Sequence, residues 1–362
     1  MGAPDDGPHS NPSCKTAFPA TGDPPRGNRL PHAIRIIGAI PRRGTHLLRQ
    51  SRASSDRTRA ARRRLAQMHA LHQYIPSARR LRIYRHCRLS NETLSETLTE
   101  EMDMATISNF RDALMAAKDS EIQADTSLGK KLRLSEAGGI SIDYAPFEHI
   151  ETRARIVIVG ITPGVQQARN ALSEARRALL AGQSDAEAAK AAKVFASFSG
   201  PMRSNLVAML DHVGVNALLG IMSTAELWSQ RADLVHFTSA LRYPVYVGGK
   251  NYSGNPSMRI TPHLISMIEK YLAEEAMTLP GALWVPLGPA ATEGVNWVVQ
   301  RGLLRQDRVL LGLPHPSGAN AERISYFLQR KSRDELSAKT SPDKIDAARE
   351  RIRSKIASMR LN

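Results

Sequence analysis

Between Arg155 and Gly312 the chain repeats one pattern: a short apolar run, a turn holding Gly or Pro, then a helical segment. The runs are Arg155-Ile-Val-Ile-Val-Gly160, Leu234-Val-His-Phe-Thr-Ser239, Ala282-Leu-Trp-Val-Pro-Leu287 and Arg308-Val-Leu-Leu-Gly312. Short, continuously apolar runs suit strands buried on both faces, the condition of a parallel sheet. Strands alternating with helices imply an α/β fold, a three-layer α/β/α sandwich around a central four-stranded parallel sheet. In such sheets ligands bind outside the carboxyl ends of the strands. The loops after Val159, Thr238, Leu287 and Leu311 are therefore where a site is expected.

The helical segments carry their own end signals. Val165 to Ala181 is closed by Gly182, and Thr261 caps a helix that opens on Pro262 and runs to about Met277. Further helices are expected over Asn109–Lys118, Met202–His212 and Pro289–Arg301, with one more ending near Arg330. The polar stretch from Lys118 to Ile142 and the Gly-rich stretch Tyr246–Met258 read as loops. Pro342–Met359 reads as a charged helix whose thin apolar stripe, Ile345, Ile352 and Ile356, packs on the domain edge.

Charge divides the chain. Of 50 basic and 34 acidic side chains, the first hundred residues hold 18 and 7, so a formal charge of +16 sits mostly on one arm. Residues 1–100 are rich in Pro, Gly, Ser and Arg, and the basic run Arg57–Arg64 repels itself, so this arm is expected to be disordered. Met102 and Met104 offer an alternative native start, which would make the arm an artefactual extension. The body is then 104–331, followed by the charged helical segment 332–362. A basic chain suits a polyanionic partner, because phosphate neutralisation supplies most non-specific affinity. Cys14 and Cys87 both lie in the arm, so the body has no disulfide, Cys-ligated zinc or iron–sulfur cluster. The absence of a signal pattern over Met1–Pro25, and of any apolar run near the roughly 20 residues a bilayer demands, makes cytoplasmic the expected location.

Two strand-end loops carry the chemistry: Gly160-Ile-Thr-Pro-Gly164 after the first strand and His315-Pro-Ser-Gly-Ala-Asn320 after the last. Each places backbone N–H groups at a helix start, where anions are stabilised. Parallel topology brings both to one edge. Together they resemble the uracil-DNA glycosylase superfamily, which carries Gly-x-Asp/Asn-Pro-Gly/Tyr after its first core strand and His-Pro-Ser or Asn-Pro-Ser-Gly after its last. The first loop is closest in form to the mismatch-specific uracil glycosylase branch, and the likeness covers about Tyr144 to Arg330.

The resemblance implies a role for each matching residue. Thr162 stands where the family holds an Asp or Asn that activates water; a hydroxyl orients water but is no base at neutral pH. Asp143, or Glu148, ahead of the first strand, is the nearest carboxylate to substitute. His315 is aimed at a base carbonyl, to stabilise charge on the departing base. Ile161, Phe195 and Ser239 match base-binding positions, with Phe198 in reserve for stacking and Thr238 beside Ser239. Gly164, Ser317, Gly318, Asn320, Lys250 and Arg323 are the expected DNA contacts, with Arg203, Arg242 and Arg259 flanking the same loops.

The implied activity is that of a monofunctional DNA glycosylase without metal or organic cofactor. It flips a nucleotide, hydrolyses the base–sugar bond and leaves an abasic site. Ala319 is a poor wedge for the vacated stack, so the favoured partner is single-stranded or locally distorted DNA. Neither a membrane nor a protein partner is implied. The expected base is uracil or a bulky modified pyrimidine, such as hypermodified cytosine of phage DNA, which would make the protein an antiphage defence factor. The alternative is a catalytically inactive DNA-binding module of the same fold. A nucleotide enzyme would need Gly-x-Gly-x-x-Gly or Gly-x-x-x-x-Gly-Lys-Ser/Thr, and neither occurs.

Overall fold

Helix α1 (Ile107–Ala116) and the single-turn α2 (Asp119–Ala124) open the computed structural model, which describes residues 105–359. Strands β1 (Arg133–Ala137) and β2 (Ile140–Asp143) follow as an antiparallel hairpin. Then come β3 (Ile156–Gly160), α3 (Val165–Leu180), α4 (Asp185–Ala196), α5 (Pro201–His212), α6 (Val215–Leu219) and β4 (Val235–Ser239). A second hairpin, β5 (Val245–Val247) and β6 (Lys250–Asn251), precedes α7 (Pro262–Met267), a π-turn (Ile268–Leu272) and α8 (Ala273–Thr278). Strand β7 (Leu283–Pro286), α9 (Gly288–Gln300), α10 (Ala321–Phe327) and α11 (Pro342–Ser358) complete the chain.

The protein is mixed α/β with two sheets. The parallel sheet has three strands in the order β4-β3-β7, in the register Gly160↔Ser239 and Val159↔Pro286. Every residue of β3 is buried, and its side chains alternate between two apolar clusters. Val157 and Val159 meet the cluster of α3 and α4, whose Ala171, Ala175, Ala188 and Ala192 permit close helix approach. Ile156 and Ile158 meet the cluster of α5, α10 and α11.

Two expectations need correction. The fourth parallel strand is not formed: Arg308–Gly312 contributes one isolated bridge, Trp284↔Val309, and one further bond from Leu310 N to Trp284 O at 2.8 Å. Gly312 turns the chain away at φ +113°, where an added Cβ would come within 2.7 Å of Ala348 Cβ on α11. Pro314 and Pro316, which have no N–H, then end any ladder. Conversely, two stretches read as loops form the antiparallel sheet β1-β2-β5-β6. Its turns, Gly138-Gly139 and Gly248-Gly249, have φ of +58°/+75° and +54°/+75°, the paired positive φ of a tight hairpin. On α11, Ala348, Ile352 and Ile356 are buried and Ile345 partly so, which docks the helix on the core as expected. Residues 1–100 and both alternative starts lie outside the described residues. Among the described residues, no helix is long and apolar enough to cross a membrane.

Candidate functional site

Both motif loops line one cavity of about 590 Å³ at the carboxyl edge of the parallel sheet. Backbone bonds tie the strand ends together there. Ala240 N donates to Gly160 O at 2.9 Å, Leu241 N to Ile161 O at 3.0 Å, Leu287 N to Val159 O at 2.9 Å, and Gly288 N to Leu313 O at 3.2 Å. All four loops after the expected strands therefore border one hollow.

His315 is partly buried in the wall. Ser317 N donates to its Nδ1 at 3.3 Å, so Nδ1 carries no proton and the neutral ring presents Nε2–H as a donor. Burial lowers its pKa, which keeps that neutral form in place at physiological pH. Gly288, at φ +79°, lies so close that a Cβ there would stand 3.1 Å from His315 Cβ. The following Pro316 is held by Asn205 Nδ2, which donates to its carbonyl at 2.9 Å.

The first loop is braced differently. Thr162 Oγ1 donates to Tyr243 O at 2.9 Å and accepts from Val245 N at 3.1 Å. At the start of α3, Gly164 N donates to Gln167 Oε1 and Val165 N to Asn251 Oδ1. Side-chain amides thus satisfy N–H groups that the sequence offered to an anion. Facing this loop, Phe198 has φ +50°, a costly conformation for an aromatic residue, and meets Phe237 edge-on at 6.0 Å. A Cβ at Gly160 would lie 3.3 Å from Ser239 Oγ and 3.5 Å from Phe198 Cζ, so only glycine leaves the space between them open.

No protein-family model and no solved structure matches the chain. One curated relative is 34% identical over 235 residues, which cover 64% of this chain and 92% of the relative: YoxB of Bacillus subtilis (strain 168), itself described only as uncharacterized. The chain belongs to the YoxB family.

In this YoxB-family chain the structure sorts the expected site residues. Thr162, His315, Ile161, Ser239, Gly164, Ser317, Asn320 and Arg323 line the cavity. Asp143 does not. It is buried on β2, paired with Arg133, and burial pushes its carboxyl up against that partner's pull. Glu148 is also elsewhere, accepting from Ile107 N at 2.7 Å and Tyr144 OH at 2.9 Å. Among the described residues no carboxylate lines the cavity, so its titratable groups are Arg242, Tyr252, His315 and Arg323. Phe195 lies at the end of α4, 54% exposed, while Phe198 lines the wall; the helix ends between them and the chain reverses. Lys250 is exposed on β6 and Gly318 is exposed on its turn; neither lines the hollow, although Asn251, Ser317 and Ala319 beside them do.

The flanking arginines are mostly structural. Arg242 is buried, bonded to Glu275 and lying 4.7 Å over the Tyr271 ring, which the π-turn presents. Arg203 donates to Phe195 O at 2.8 Å and lies over Trp228. Arg323 donates to Asn320 Oδ1 at 2.8 Å, and Asn320 Nδ2 donates to Ser317 Oγ at 3.2 Å, a polar chain along one rim. Tyr252 and Ser253, just after the second hairpin, and Gly288 to Ala290, at the start of α9, also line the cavity; they fall in loops that the sequence marks, although none of them is singled out there. A Gly-Pro pair directly after a strand was the available signal for the latter.

Proposed function

We propose that this YoxB-family protein is a DNA glycosylase of the uracil-DNA glycosylase type, built as a three-layer sandwich, that releases a base from an extruded nucleotide. The observation that carries the reading is the convergence of Gly160–Gly164 and His315–Asn320 on one cavity, with the neutral His315 ring offering a donor. The base stacks on Phe198 beside Ser239, and His315 Nε2–H bonds a carbonyl of the base. As the glycosidic bond breaks, electrons pass to the base and the sugar becomes cationic. A donor placed where negative charge grows lowers that barrier. Water then adds to the sugar carbon and gives up a proton to solvent. With no carboxylate in the wall among the described residues, leaving-group stabilisation dominates, and substrates with a stable departing anion or a loosely held base are favoured. Ser317, Asn320 and Arg323 form the rim that meets DNA phosphates.

The test is incubation of uracil-containing, mismatched and hydroxymethylated or glucosylated cytosine DNA with the protein, then alkali to reveal abasic sites. Mass spectrometry identifies the released base. Absence of cleavage on every substrate would refute the enzymatic reading. A second reading, a DNA-binding module without turnover, is favoured by the carboxylate-free wall and by the Thr162 hydroxyl being spent on backbone. His315→Ala separates them: an enzyme loses about 10²–10³-fold in turnover with DNA affinity kept, as for other oxyanion-type donors, whereas a binding module has no turnover to lose.

A further inference from the structure

Two side-chain amides meet at the start of α3, and neither has a task in the chemistry above. Gln167 and Asn251 both line the cavity, the first half-buried on α3 and the second exposed on β6. Gly164 N donates to Gln167 Oε1 at 3.1 Å, and Val165 N donates to Asn251 Oδ1 at 3.2 Å. A backbone N–H bonds only the oxygen of a carboxamide, so these two bonds fix which way each amide points. With both oxygens held on the backbone, the NH2 groups remain as donors. Neither nitrogen has a hydrogen-bond partner among the described residues, and neither is sealed inside the fold as an orphan. Asn251 Nδ2 lies 3.6 Å from where a Cβ of Gly164 would stand, and Gly164 itself lines the cavity. The second hairpin holds Asn251 there: Thr162 Oγ1 accepts from Val245 N at 3.1 Å, and Tyr252 N donates to Val245 O at 3.0 Å. A glutamate in place of Gln167 would cap Gly164 as well and gain from the helix dipole. Glutamine forgoes that gain and keeps an uncharged donor.

We infer that Gln167 and Asn251 are specificity-determining residues whose NH2 groups donate to carbonyl oxygens of the bound base. That the ligand is a base rests on the glycosylase reading. With His315 Nε2–H, the wall then offers donors from three separate elements of the chain. A carbonyl accepts from such donors, whereas an exocyclic amino group sets hydrogen against hydrogen and leaves both sides unpaired. Among pyrimidines, the site therefore selects those with a carbonyl where cytosine carries its amino group.

The experiment compares the full chain with Gln167→Glu and Asn251→Asp. Each substitution keeps the oxygen that the backbone N–H needs and replaces the NH2 donor with an acceptor. Thermal unfolding is expected to be unchanged or raised, since an acidic group at a helix start is favourable. A clear fall in either variant would show that the amide nitrogen has a structural partner, and overturns the proposal. Calorimetric titration uses 2′-deoxy-2′-fluorouridine and 2′-deoxy-2′-fluorocytidine as probes, the fluorine slowing loss of the base so that binding is read without turnover. The unaltered protein is expected to prefer the uridine analogue about tenfold, one hydrogen bond's worth. Each variant is expected to lose that preference or reverse it, because a carboxylate accepts from the cytosine amino group. Failure to bind either probe, equal binding of both, a preference for the cytidine analogue, or a uridine preference that survives either substitution overturns it. A preference lost in both variants, with no base release from DNA, sinks the glycosylase reading alone. Base release with the preference untouched by the substitutions sinks the amide proposal alone.

Discussion

At Thr162 the hydroxyl does the work of a clamp. It bridges Tyr243 O and Val245 N, joining the first motif loop to the second hairpin. Thr162→Val leaves a carbonyl and an N–H unpaired in a part-buried site, so a loss of about 1–3 kcal/mol in unfolding free energy is expected by denaturant titration. Thr162→Ser is expected to restore most of it. The two phenylalanines make a sharper pair. Phe198→Ala is expected to cut base release by about tenfold or more, since stacking on one aromatic contributes roughly 1–3 kcal/mol per base. Phe195→Ala, at an exposed position, is expected to change neither release nor stability by more than about 0.5 kcal/mol. Spacing to Gly200 favours Phe195 in the sequence, but the choice depends on where α4 stops and on the backbone reversal at Phe198, which are tertiary facts.

Among the elements, β4 and α4 bury an unusual set of titratable groups behind the sheet. His236 is 1% exposed, and burial, with Lys193 adding to it, pushes its imidazole down to about 4 from 6.5; His149 behaves alike. Between those values the unfolded chain binds a proton that the fold refuses, so stability falls as pH drops from about 6.5 to 4. Burial also brings Lys193 down to about 7 from 10.5, which makes stability rise as pH climbs from 7 toward 10. The Tm is therefore expected to increase with pH across both windows. His236→Gln is expected to shrink the acid limb by about half, since each of the two histidines contributes on the order of 3 kcal/mol for a shift of this size. The element ends were legible where chemistry is local. Ser184-Asp-Ala-Glu187 is a capping box that announces α4, with Ser184 N donating to Glu187 Oε2 at 2.9 Å, and both Gly-Gly turns announce hairpins. These signals were present and short, and polar composition masked them.

For the whole molecule, Ala105 O accepts from Tyr243 OH at 2.6 Å, and Phe110 of α1 stacks on Tyr144 at 4.2 Å. A chain begun at Met104 keeps both contacts and is expected to unfold at the same denaturant midpoint as the full chain. A chain begun at Lys118 loses them and is expected to unfold much earlier. Removing the basic first hundred residues is also expected to weaken DNA binding and flatten its salt dependence, because fewer counterions are released.

Read by itself, the sequence determined the α/β class, the three strands that pair in parallel, and the edge on which the two motif loops meet. Hydrophobic run length and strand–helix alternation are local properties, and parallel topology follows from them. Only the tertiary structure decided that Arg308–Gly312 leaves the sheet, that Asp143 pairs with Arg133 away from the cavity, and that Phe198 rather than Phe195 forms the wall. Each depends on contacts between residues distant in the chain, such as Gly312 against Ala348, and on directions of side chains that spacing alone does not set.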